Sequence, residues 1–102
     1  MIYKVHSLLV AQSIIELVQN DERMHERRGF IEAYQNGREQ GLLIFNTHES
    51  CFYCCVHRNG NMPTVYHGKY SMQSISDDAY RHVNNFGNPQ DAANWIIDNW
   101  QV

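Results

Sequence analysis

Lysine is scarce in this chain: Lys4 and Lys69 are its only lysines among eight basic residues. A protein that grips duplex nucleic acid without regard to sequence draws its affinity from many Lys and Arg contacts to phosphate. The formal charge of −3 points the same way, so no duplex nucleic-acid partner is expected. Long apolar runs are missing too. Leu8-Leu9-Val10 and Leu42-Leu43-Ile44-Phe45 fall far short of the about 20 residues that a membrane helix needs, so no membrane partner is expected. The N-terminus carries Lys4 but no sustained apolar segment of the kind a signal peptide requires. There is no Gly-x-Ser-x-Gly elbow, no glycine-rich phosphate loop and no His-Glu-x-x-His helix. With no catalytic or cofactor signature, the expectation is a protein that is not an enzyme and holds no cofactor. Repeats, linkers and low-complexity segments are absent as well.

What remains is a chain of 102 residues, enough for a single domain spanning 1–102 with one modest core. Its three cysteines are an odd count crowded into five positions, Cys51, Cys54 and Cys55. That is a poor disulfide framework, and a reducing, cytoplasmic setting is the natural expectation. Six histidines are scattered along the chain with no grouping that suggests a pH switch.

The clearest local signal is the end, Asn88 to Trp100. Asn88 offers an N-cap oxygen, Pro89 suits the first helical position, and Asp91 meets the positive end of the helix dipole. Ala92, Ala93, Ile96, Ile97 and Trp100 then recur at helical spacing, as expected of a helix docked on a sheet. Near the N-terminus, Ser7 can cap a helix whose apolar face is Leu8, Ala11, Ile14, Ile15 and Val18. The charged run from Asp21 to Arg28 reads as one or two exposed helical turns with local ion pairs, after a break at Asn20-Asp21. Phe30, Ile31 and Tyr34 suit a helix ending at Asn36 with Gly37 as its left-handed cap. The rival reading takes Asn36-Gly37 as a hairpin turn and Phe30–Gln35 as a strand. The helix is favoured because Glu32, Ala33 and Gln35 are better helix formers than strand formers.

Leu42–Asn46, Cys51–Arg58 and Thr64–Met72 read as three strands, linked by a polar turn at Thr47–Ser50 and a hairpin loop at Asn59-Gly60-Asn61. Ser76-Asp77-Asp78 caps a short helical turn, or Tyr80–Phe86 is a fourth, edge strand. Both readings stay open. The fold class expected is therefore α+β: an N-terminal helical segment, an antiparallel sheet of three or four strands, and a C-terminal helix packed on one face.

One cluster has the residue types of a metal site: His48, Cys51, Cys54 and His57. Histidine and thiolate are zinc's preferred ligands, and a tetrahedral site gathers four of them within about 2.0–2.3 Å of the ion. In an extended strand, however, Cys51 and Cys54 project to opposite faces. The favoured reading is a half-buried strand that uses cysteine as a small apolar filler. A thiol–imidazole pair between Cys54 and His67 or His82 exists only on paper. Asp77-Asp78 is better explained by capping than by catalysis.

An order of helix, three antiparallel strands and helix is also that of double-stranded-RNA-binding domains, which place lysines at the start of the last helix. Here that position holds Asn88-Pro89-Gln90-Asp91, with an acid where a base is wanted. An aromatic single-strand platform could be built on Tyr66 and Tyr70, flanked by Lys69, Arg58 and Arg81. The simpler expectation is that these tyrosines pack under the terminal helix. Trp95 and Trp100 lie roughly 140° apart around that helix. If Trp100 is on the buried stripe, Trp95 is at its margin, covering a core edge or available to a partner.

Together these features point to a small non-enzymatic protein-binding module, an inhibitor or adaptor that occupies a surface of a larger protein or homodimerises. Its interface candidates are Arg58, Tyr66, Lys69, Tyr70 and Trp95. Small proteins of phages and mobile elements have this compositional profile. The alternatives are a nucleic-acid-binding regulator and a small cysteine- or zinc-dependent enzyme.

Overall fold

The computed structural model describes residues 2–27, 29–36, 39–46, 50–56, 62–68 and 80–100. Helix α1 (Ile2–Gln19) is followed by a 3₁₀ turn at Glu22–Met24, five strands, and helix α2 (Pro89–Asp98). The strands are β1 (Phe30–Asn36), β2 (Glu39–Asn46), β3 (Ser50–Val56), β4 (Pro63–Gly68) and β5 (Tyr80–Asn85). They form one antiparallel sheet in the order β1-β2-β3-β4-β5. The α+β class is as expected, but the sheet has five strands, not three or four.

Two expectations are corrected, and one of two open readings is borne out. Residues 30–36 are a strand, not a helix, paired along their whole length with β2 from Phe30↔Phe45 to Asn36↔Glu39. The helix preference of Glu32, Ala33 and Gln35 is a weak prior of tenths of a kcal/mol per residue. A seven-residue ladder outweighs it. Tyr80–Asn85 is the fifth strand, closing the other edge. Helix α1 begins at Ile2 rather than at Ser7, which places Ser7 inside it. Of the strands expected at Cys51–Arg58 and Thr64–Met72, residues 57–58 and 69–72 lie outside the described residues, as does the Ser76 alternative.

Helix α2 forms as its local chemistry requires. Asn88 is extended, and its side-chain oxygen accepts the Asp91 N–H at 2.9 Å; Pro89 opens the helix. In the preceding segment, Asp21 caps the 3₁₀ turn by accepting the Arg23 N–H. The turn is less exposed than the charge run suggests, because it lowers Met24 into the core at 2% exposure. Glu26 takes a left-handed φ of 70° as the chain turns toward β1.

Both helices lie on one face of the sheet, α1 over β2 and β3 and α2 over β4, and they pack on each other. That layer joins Ala11, Ile14, Ile15 and Val18 of α1 with Ile44, Phe52, Cys54 and Val65 of the sheet. Ala92, Ala93, Ile96, Ile97 and Trp100 complete it. The small alanines at the start of α2 fit the close approach of the helix. On the opposite face, Leu43, Phe45, Cys51, Tyr53 and Cys55 form a second buried layer edged by Tyr66. Every residue from Cys51 to Val56 is buried, so β3 is covered on both faces rather than half-buried. A central strand of this kind reads as a continuous apolar run.

Two glycines set the spacing. A Cβ at Gly29 would sit 2.6 Å from the Trp100 indole and 2.7 Å from Ile44, so Trp100 seats directly on the chain just before β1. A Cβ at Gly41 would collide with the Cys54 carbonyl and the Tyr53 ring, which lets β2 approach β3 there only without a side chain.

Candidate interaction surfaces

The outer edge of the sheet at β1 is apolar. Phe30 is 62% exposed and Ile31 46%, and Glu32 and Ala33 beside them are exposed too. Alternation along the strand sends Phe30 to one face and Ile31 to the other. Phe30 stacks on Phe45 with centroids 5.7 Å apart and planes at 29°, and Ile31 is the register partner of the buried Ile44. Each residue therefore extends one of the two buried layers to the sheet edge. Leu9 and Met62 are also exposed, and apolar exposure of this kind is ordinary on a protein surface.

A second surface gathers rings where α2 meets β4. His67 lies flat on Phe52, with centroids 4.5 Å apart and planes at 3°. Phe52 in turn stacks on Trp100 at 5.8 Å. Trp95 meets Phe52 and His67 edge-on, at 5.8 and 5.7 Å. These are the offset and edge-on arrangements that the ring quadrupoles favour. Trp95 and His67 are half-buried, with the exposed Arg81 paired to His67 across the β4–β5 ladder. Partial burial away from water holds the His67 imidazole below its ordinary pKa.

The third surface is on the opposite side of the sheet. Tyr66 leans on Tyr53 with centroids 5.6 Å apart and meets His82 edge-on at 5.3 Å. His82 Nε2 is 2.8 Å from Asn85 Oδ1, and Thr64 Oγ1 is 3.1 Å from the same oxygen and 2.8 Å from the Met62 carbonyl. The ladder slips by one residue between Val65 and Tyr66. Tyr66 belongs to the layer away from the helices, so it does not pack under α2 as expected; Val65 and His67 hold that position. The side on which the helices dock is a tertiary choice that strand alternation does not fix.

Among the interface candidates, the structure thus separates Tyr66 from Trp95 by the thickness of the sheet. Trp95 stands at the margin of the α2 stripe and Trp100 is buried at 7% exposure, as their spacing implies. Arg58, Lys69 and Tyr70 lie outside the described residues, as do His48 and His57 of the zinc candidates. Cys51 and Cys54 belong to different layers on opposite faces of β3. Burial, with Cys55 and Cys51 close by, raises the Cys54 thiol well above its ordinary pKa. A thiol kept protonated in this way is a poor nucleophile and a poor metal ligand. Among the described residues, no three His, Cys, Asp or Glu side chains converge on a common point, and no helix is long and apolar enough to cross a membrane.

An open cleft of about 670 Å³ runs between α1 and the start of α2, past Ser13, Glu16, Asn20 and Gln90. Much of its polar rim is engaged in holding the fold. Ser13 donates to the Leu9 carbonyl, and Asn88 caps α2. Beside it, Arg23 grips Asp21 at 3.0 and 3.1 Å and reaches Asp98 at 3.2 Å and Asn94 at 2.9 Å. Hydrogen bonds from Arg23 lower the Asp21 carboxyl below its ordinary pKa. Arg23 therefore ties the 3₁₀ turn to α2.

The edge pair Phe30 and Ile31 does not follow from a helical reading of 30–36. The signal for it was the Asn36-Gly37 pair, which marks a hairpin and hence a strand before it. Comparison with known proteins adds no relative: no family model matches the chain, and no curated protein or solved structure matches it.

Proposed function

We propose that this protein is a non-enzymatic binding module that acts by occupying a surface of a larger protein, as an inhibitor or adaptor does. The observation that carries this reading is the β1 edge, where Phe30 and Ile31 stand side by side and exposed at the rim of both buried layers. Adjacent exposed apolar residues on a sheet edge are a liability in a protein that works alone, and natural proteins usually protect such edges. The cost is explained if the edge is covered in use. Trp95 and Arg81 supply a second surface rich in residue types enriched at binding hot spots.

The test is affinity capture from the source cell's lysate with and without nuclease, using the wild-type chain, Ile31→Lys and Trp95→Ala. The expected result is a protein partner retained under nuclease and lost with at least one variant. Capture that vanishes with nuclease would replace this reading with a nucleic-acid regulator. Such a regulator would show a steep salt dependence.

A further inference from the structure

We draw no further inference here: the strongest candidate, the apolar surface patch at the β1 edge of the sheet where Phe30 and Ile31 are exposed, carries none because nothing in the structure shows what covers it.

Discussion

The two edges of the sheet are built on opposite rules. β5 carries Arg81, His82 and Asn84 as exposed residues, slips its register against β4, and links Thr64, Asn85 and His82 through a shared amide oxygen. Charge, a bulge and local polar bonding are the usual means by which proteins discourage a foreign strand. β1 has a regular seven-residue ladder on its inner side and Phe30 and Ile31 at its rim. Among the described residues, one edge carries charge, a register slip and local polar bonds, and the other carries exposed apolar side chains. The contrast shows that a meander does not dictate how its ends behave, since the same backbone order yields both.

The contrast can be broken most severely at the root of β1. Trp100 seats on Gly29 and Ile44 and stacks on Phe52, so it holds β1 and α2 on one core. Trp100→Ala should cost about 3–5 kcal/mol, the range for deleting a large buried aromatic, read as a lower urea midpoint with an unchanged slope. A parent-like melting curve would mean that α2 and β1 are anchored independently of it. Gly41→Ala probes the hairpin that presents β1. Its new methyl group would meet the Cys54 carbonyl and the Tyr53 ring, and overpacking of this kind costs about 1–3 kcal/mol. Amide exchange should accelerate in β1 and β2 more than in β4 and β5.

A smaller effect belongs to the β5 side and depends on pH. Burial lowers the His67 pKa from its ordinary 6.5, so the folded state binds this proton less readily than the unfolded chain does. The His67 contribution to stability is complete above about pH 6.5, the unfolded imidazole value. It declines as pH falls through that value toward the lowered folded one, and is level below. His67→Phe should remove this component of the acid slope while preserving the ring stack on Phe52. A slope unchanged by the substitution would assign the pH dependence to other groups. Smallest of all is Ile31→Lys, a surface change expected to stay within about ±0.5 kcal/mol. It should leave the melting temperature alone and lower any self-association, measured by sedimentation at increasing concentration.

The parts of this fold that were legible from sequence are those whose causes are local. Asn88, Pro89 and Asp91 announce the start of α2, and the spacing of Ala92 to Trp100 gives its buried stripe, because capping and helical periodicity act within a few residues. Trp95 at the margin follows from the same geometry. β1 was not legible in this way. Its identity depends on Phe30 meeting Phe45 and Ile31 meeting Ile44, contacts that local propensity at Glu32 and Ala33 opposes. β5 mixes strand-favouring Tyr80 and Val83 with Arg81, His82, Asn84 and Asn85, which have little strand preference, so its sequence left the strand as one of two open readings until pairing with β4 decided it. The candidate site was legible only in part for the same reason. Trp95 was found through helix geometry, whereas Phe30 and Ile31 become edge residues only once the sheet exists. Which face carries Tyr66 depended on where the helices docked, which alternation leaves undetermined.

The three thiols of β3 give the molecule a gauge of its own integrity. Cys54 lies in the helix-covered layer, Cys51 and Cys55 in the other, and all three have no measurable exposure. A thiol reagent in solution can reach them only when the central strand is uncovered, so labelling in native buffer times the rarest openings of the fold. Where reclosing outpaces modification, the rate is the intrinsic thiolate rate multiplied by the opening constant. Because the cysteines alternate between layers, a mass-resolved time course distinguishes a helix layer that peels away alone, labelling Cys54 first, from a sheet that opens on both sides at once. The strand that conceals its sulfur most completely is thereby the one that reports how the protein comes apart.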